Sequence, residues 1–161
     1  MKQISLLLLL FWFTTLVAGQ EISFKDIQFP AADGSLTKAK LTFDDVGKQV
    51  MVRVSDGRVF NVAYRQIDKI GYEYSKKHRI KNGAEVAVLS PGTGAILAFT
   101  KSRNHWLEID FHDQNSSKVL ILKLSKHDYQ QVCEAAKSHS GQEVKQIGET
   151  TAQAIKDKLK K

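Results

Sequence analysis

Cysteine is almost missing from this chain: Cys133 is the single one in 161 residues. A lone cysteine excludes an intramolecular disulfide, and no Cys/His spacing of the kind that holds zinc occurs. Proline occurs twice, at Pro30 and Pro91, and both positions read as breaks. After the first segment there is no long apolar run. The longest weakly charged stretch, Val86 to Phe99, is interrupted by Ser90-Pro91-Gly92-Thr93-Gly94, so no later bilayer span is expected. Catalytic signatures are lacking too. There is no HExxH and no GxSxG, and Gly92-Thr93-Gly94 has neither the third glycine of a dinucleotide loop nor a following Lys-Ser/Thr. No catalytic residue, metal or cofactor is expected.

What is present is enough for one domain of ordinary size. Hydrophobic residues make up 42% and charged residues 25% of the chain, a balance that buries a core and argues against wholesale disorder. The formal charge of +7 implies attraction to polyanions without bearing on fold.

The first segment reads as an address. Met1-Lys2-Gln3 is followed by the apolar run from Ile4 to Ala18 and by small residues at Val17-Ala18-Gly19. This is the pattern of a secretory signal peptide over 1–19, cleaved after Gly19. The run is shorter than the roughly 20 residues that an uncleaved anchor needs. The expected location is therefore secreted or periplasmic.

Residues 20–37 lack a strong period and are expected to be irregular, with Ile22, Phe24, Ile27 and Phe29 able to tuck on as a short strand or turn. From Lys38 alternation is clear. Ala39, Leu41 and Phe43 share one face, then Val50, Val52 and Val54 with Met51 and Arg53 outward, then Phe60, Val62 and Tyr64, then Ile70, Tyr72 and Tyr74. Asp56-Gly57 predicts a two-residue hairpin turn, and four antiparallel strands in meander order are the economical arrangement. Ala84 to Phe99 reads as two short buried strands or a helical excursion. Trp106 to His112 and Lys118 to Leu124 supply two further strands. Ser125 is expected to cap a helix in which Tyr129, Val132, Cys133 and Ala136 face the core, ending at Gly141. Residues 142–161 are a basic tail or weak amphipathic helix.

Strands followed by one closing helix make an α+β protein, mostly antiparallel sheet and partly closed as a barrel. The segment Phe60-Asn61-Val62-Ala63-Tyr64-Arg65-Gln66-Ile67-Asp68-Lys69-Ile70 and the element order over 38–141 resemble a pleckstrin-homology-like domain. Thr100 to Trp106 is similar to a stretch of small exported bacterial proteins. The resemblance implies a bent sheet capped by a C-terminal helix and a membrane- or partner-binding role. The chain departs from it at Asp44-Asp45, acidic where phosphoinositide-binding members carry Lys or Arg, and in the length of the Ala84 to Phe99 segment.

Two basic stretches stand out: Lys76, Lys77, His78, Arg79 and Lys81, and Lys101, Arg103 and His105. If the segment between them folds back, Lys76, Lys77, Arg79, Lys101, Arg103, His105 and Trp106 form a cationic rim suited to an anionic lipid, a polysaccharide or an envelope protein. Export makes nucleic acid an unexpected partner. The expected function is thus an exported, non-enzymatic binding module. Two alternatives stay open: a metal-binding or hydrolytic protein using Glu108, Asp110 and His112 on one strand face, and a structural envelope protein whose tail docks as a helix.

Overall fold

The computed structural model describes residues 21–30, 35–78, 85–86, 98–114 and 116–147. Residues 1–20, where a signal peptide is expected, most of the Ala84 to Phe99 stretch and the tail beyond residue 147 lie outside the described residues. Among the described residues nine strands make one sheet: β1 (Glu21–Pro30), β2 (Leu36–Asp44), β3 (Gln49–Val54), β4 (Val59–Ala63), β5 (Ile67–His78), β6 (Glu85–Val86), β7 (Ala98–Asp113), β8 (Ser116–Leu124) and β9 (Val144–Gln146). The order is β4-β3-β2-β1-β8-β7-β5-β9, with β6 pairing alongside β8. The helix α1 (Tyr129–Ser140) follows β8. The sheet runs open from β4 to β9 among the described residues, which corrects the expectation of partial barrel closure.

Alternation builds the core as the sequence predicts. Ala39, Leu41, Phe43, Val50, Val52, Val54 and Val62 from the first four strands meet Ile70, Leu107, Ile109, Leu120 and Leu122 from the other half. A fully buried side chain of this kind contributes about 1.5–3 kcal/mol relative to exposure. Val132, Ala135 and Ala136 are the buried positions of α1. The helix is fastened at both ends by rings. Tyr129 stacks on His105 of β7, with ring centroids 3.9 Å apart, and His139 stacks on Phe43 of β2 at 5.7 Å. Its C-terminus is Gly141 at φ 73, whose amide donates to the Lys137 carbonyl at 3.0 Å, as the sequence pattern predicts.

Five expectations change. First, residues 21–30 are not irregular but form β1, which lies between β2 and β8 near the middle of the sheet. Its period is obscured by a bulge: Phe24 faces Leu41 and Ile27 faces Ala39, so Lys25 and Asp26 together oppose Lys40. Second, the meander stops at four strands counted from β1. After a 3-10 turn at Tyr64–Gln66, β5 pairs with β7 rather than with β4. Third, the β3–β4 hairpin has a three-residue loop. The Val54 amide donates to the Arg58 carbonyl at 2.9 Å and Gly57 sits at φ 96, a turn followed by a left-handed residue that only glycine adopts without strain. Fourth, Ser125 does not cap α1. Its hydroxyl accepts from the His127 amide at 3.1 Å in a turn ahead of the helix, which begins after Asp128. Fifth, the first part of the tail is strand, not helix: Val144 to Gln146 run parallel to Ile70–Tyr72. Gly71 explains why this edge admits them, since a Cβ there would lie 2.8 Å from the Ile147 side chain.

Candidate functional site

Where β1 meets β8 the two strands share one register pair, Gln28 with Lys123. A groove of about 680 Å³ opens at this seam, lined among others by Lys25, Lys38, Arg103, Lys123 and Lys126, with Asp26 its one carboxylate among the described residues. The β1 bulge places Lys25 and Asp26 side by side there, the kind of re-aiming that bulges perform. A second groove of about 600 Å³ continues over β2 and β3, lined by Lys25, Lys38, Lys40, Arg53 and Val59. Lys25 and Lys38 belong to both, so the two make one track.

The charges are arranged against each other. Lys40 and Arg53 are directly opposite across β2 and β3, and like charges so placed are destabilising. Among the described residues none of Lys25, Lys38, Lys40, Arg53, Lys123 and Lys126 has a carboxylate within ion-pairing distance. The described ion pairs are elsewhere, at Arg58–Asp56, Lys69–Glu108, Lys69–Asp110, Lys118–Asp113 and Lys137–Glu143, with His112–Asp68 and His139–Asp45 as the imidazole contacts.

One wall of the seam groove is aromatic. The hydroxyl of Tyr72 lies 2.6 Å from His105 Nδ1, and the Tyr74 ring is 4.7 Å from the imidazole. Burial holds His105 below the usual imidazole pKa, so it is neutral at pH 7. Burial, with the neighbouring Tyr129 adding to it, raises the Tyr72 phenol well above its ordinary pKa. The protonated phenol and the neutral ring share one hydrogen bond at Nδ1, its direction set by the imidazole tautomer. Tyr74 is 38% exposed at the groove, and the Arg103 guanidinium is 6.0 Å from its ring centroid.

The expected rim is thus only partly assembled. Arg103 and His105 reach the groove, His105 as a neutral ring instead of a cation. Trp106 does not. It is fully buried in a second small core with Val119, Ile121 and Leu36, and its indole N–H donates to the Ser75 carbonyl at 3.3 Å. It points opposite to His105 because adjacent strand residues face opposite ways. Lys76, Lys77 and Lys101 are described as backbone positions in β5 and β7, and Arg79 lies outside the described residues. The cations that line the track were instead Lys25, Lys38, Lys40, Arg53, Lys123 and Lys126. Outward Lys40 and Arg53 are legible in the alternation of neighbouring strands. Lys123 needs the long-range β1–β8 pairing, which no local pattern encodes.

The alternative face does not converge either. Glu108 and Asp110 share Lys69, at 3.9 and 3.5 Å, while His112 contacts Asp68 at 2.9 Å. Burial, reinforced by Glu108, raises the Asp110 pKa despite Lys69. Among the described residues no group of three or more His, Cys, Asp and Glu is placed to hold a metal. Cys133 packs against the core, and burial pushes its thiol up to about 11, far from the thiolate that nucleophilic chemistry needs. The acidic turn is structural. Asp44 accepts from the Val46 and Gly47 amides, and Asp45 lies 2.9 Å from His139 Nδ1 and accepts from the Tyr64 hydroxyl at 3.3 Å.

No family model and no curated protein matches the chain. Among solved structures, a chain of the Spt16D Pob3N heterodimer is similar at 14% identity and TM-score 0.47, over 79% of this chain. The present chain spans about half, 54%, of that one. Among the described residues no helix is long and apolar enough to cross a membrane.

Proposed function

We propose that this protein is an exported, non-enzymatic binding module of pleckstrin-homology-like architecture, and that its cation-lined track holds an anionic partner. The observation that carries the reading is the opposed pair Lys40 and Arg53 within a set of cations that no described carboxylate neutralises. Such a set costs folding energy by mutual repulsion and is relieved when an anion sits between the charges. The architectural part is supported by the order β4-β3-β2-β1-β8-β7-β5 with a helix following β8. Export is supported by the leader-like sequence of residues 1–19. The acidic turn at Asp44-Asp45 is occupied by its own amides and His139, which directs anion binding to the outer face of the sheet instead.

The test is a salt titration of binding to a sulfated-polymer resin and to vesicles containing anionic lipid. Affinity is expected to fall as salt rises, with a slope that counts the displaced counterions, and to drop sharply for Lys40→Glu/Arg53→Glu. Binding that ignores both salt and the double substitution would overturn the proposal.

A further inference from the structure

Resting on that reading, we infer that the partner is an acidic polysaccharide, an extended chain of sugar rings bearing carboxylate or sulfate groups, laid across β3, β2, β1 and β8. Three features select this class among anions. The first is shape. The two grooves share Lys25 and Lys38 and cross three interstrand steps, about 14 Å at 4.7–4.9 Å per step. That is a line of cations for a chain, where a single headgroup would fill only one groove.

The second feature is Asp26. A site built for bare phosphate gains nothing from a carboxylate among its lysines. A ligand that also carries hydroxyl groups does gain, because a carboxylate accepts their hydrogen bonds strongly. Asp26 and the Gln28 amide line the same groove as Lys25 and Lys123, so hydroxyl recognition and charge neutralisation fall within one site.

The third feature is apolar. The large hydrophobic side chains left exposed among the described residues are Val46, Val59 and Tyr74. Val59 lies across from outward Arg53 and lines its groove, which gives a sugar ring's C–H face a surface at that end of the track, while Tyr74 lines the seam groove from the core-facing side with His105. A single-stranded nucleic acid asks for successive aromatic platforms, and among the described residues the grooves offer only Tyr74 and the inward-stacked His105.

The experiment is calorimetric titration of the full chain with galacturonate disaccharide, galacturonate octasaccharide, inorganic polyphosphate, single-stranded DNA and anionic-lipid vesicles, each at low salt. The octasaccharide is expected to bind at least about tenfold more tightly than the disaccharide, because linked contacts raise the effective concentration. Arg53→Ala should weaken the octasaccharide and leave the disaccharide unchanged. Asp26→Ala should weaken the octasaccharide at least about tenfold, the cost of a lost charge-assisted hydrogen bond, and tighten polyphosphate. Thermal unfolding of each variant confirms that it is folded. Tighter binding of polyphosphate, DNA or vesicles than of the octasaccharide, length-independent affinity, or a gain in both ligands for Asp26→Ala would overturn the polysaccharide assignment and leave the anion-binding reading intact. No binding of any of the five would overturn both.

Discussion

On the outer face of β1, β2 and β3 the outward side chains include Lys38, Lys40 and Arg53, while on the outer face of β5, β7 and β8 they include Glu73, Trp106, Glu108, Val119 and Ile121. The strands are continuous parts of one sheet and share one core on the opposite side. In the second half much of the outer face is itself buried, Trp106 fully so, and Lys69 is set between Glu108 and Asp110, with Lys123 at the seam joining the cations of the first half. In the first half the outer face is open and its charges repel. A sheet that pairs its charges in one half and leaves them opposed in the other divides its outer face between stability and, on the reading proposed above, an anionic partner.

The largest effect that tests this contrast is Trp106→Ala. It should destabilise the protein by about 3–5 kcal/mol in denaturant unfolding. A cost near zero would mean that the second half has no outer core. Lys40→Glu should have the opposite sign. It places a carboxylate across from Arg53 and should raise stability by up to about 1 kcal/mol while weakening anion binding. A substitution that stabilises the fold and damages binding marks a position kept for its partner.

His105 ties β7 to α1 through Tyr129 and offers a pH test. Its folded pKa lies below the ordinary 6.5 because of burial, so the folded state resists its protonation. The stability it contributes is present above about 6.5 and is lost as pH falls through the folded value. In His105→Gln that part of the acid sensitivity should vanish from unfolding curves collected across this window.

The smallest effect concerns Asp110. Burial raises its folded pKa above the ordinary 3.8, so ionisation works against the folded state, and its contribution is lost as pH rises through the folded value. Asp110→Asn should therefore raise the melting temperature slightly at neutral pH, with the gain gone below the ordinary carboxylate pKa. A loss at neutral pH would show that Lys69 more than offsets the burial.

How far these features were legible depends on the range of the interaction behind them. Inward positions such as Leu41, Val52, Leu107 and Val132 follow from local periodicity, because burial on one face imposes it directly. The stop at Gly141 is equally local. β1 was hidden by its bulge, which inserts one residue and reverses the alternation between Phe24 and Ile27. Trp106 was misplaced for a different reason. Alternation puts it correctly on the outer face, but a strand pattern does not say whether that face is covered. The track at Lys25, Lys38 and Lys123 was missed because its members come from three strands, one of them far away in sequence. Clusters of cations contiguous in sequence, such as residues 76–81, drew the expectation instead.

The seam between β1 and β8 also sets the order in which the molecule can be made. β1 to β4 can zip together as successive neighbours, but the inner side of that ribbon stays uncovered until β8 arrives from the far end of the domain. Closing so long a loop before any contact rewards it is slow, as is usual where distant pairings dominate. In that interval Phe29, Leu41, Phe43 and Val52 stand open to water and to other copies. Premature association of chains is therefore expected to begin on the β1–β4 ribbon, and anything that speeds the meeting of Gln28 with Lys123 should suppress it.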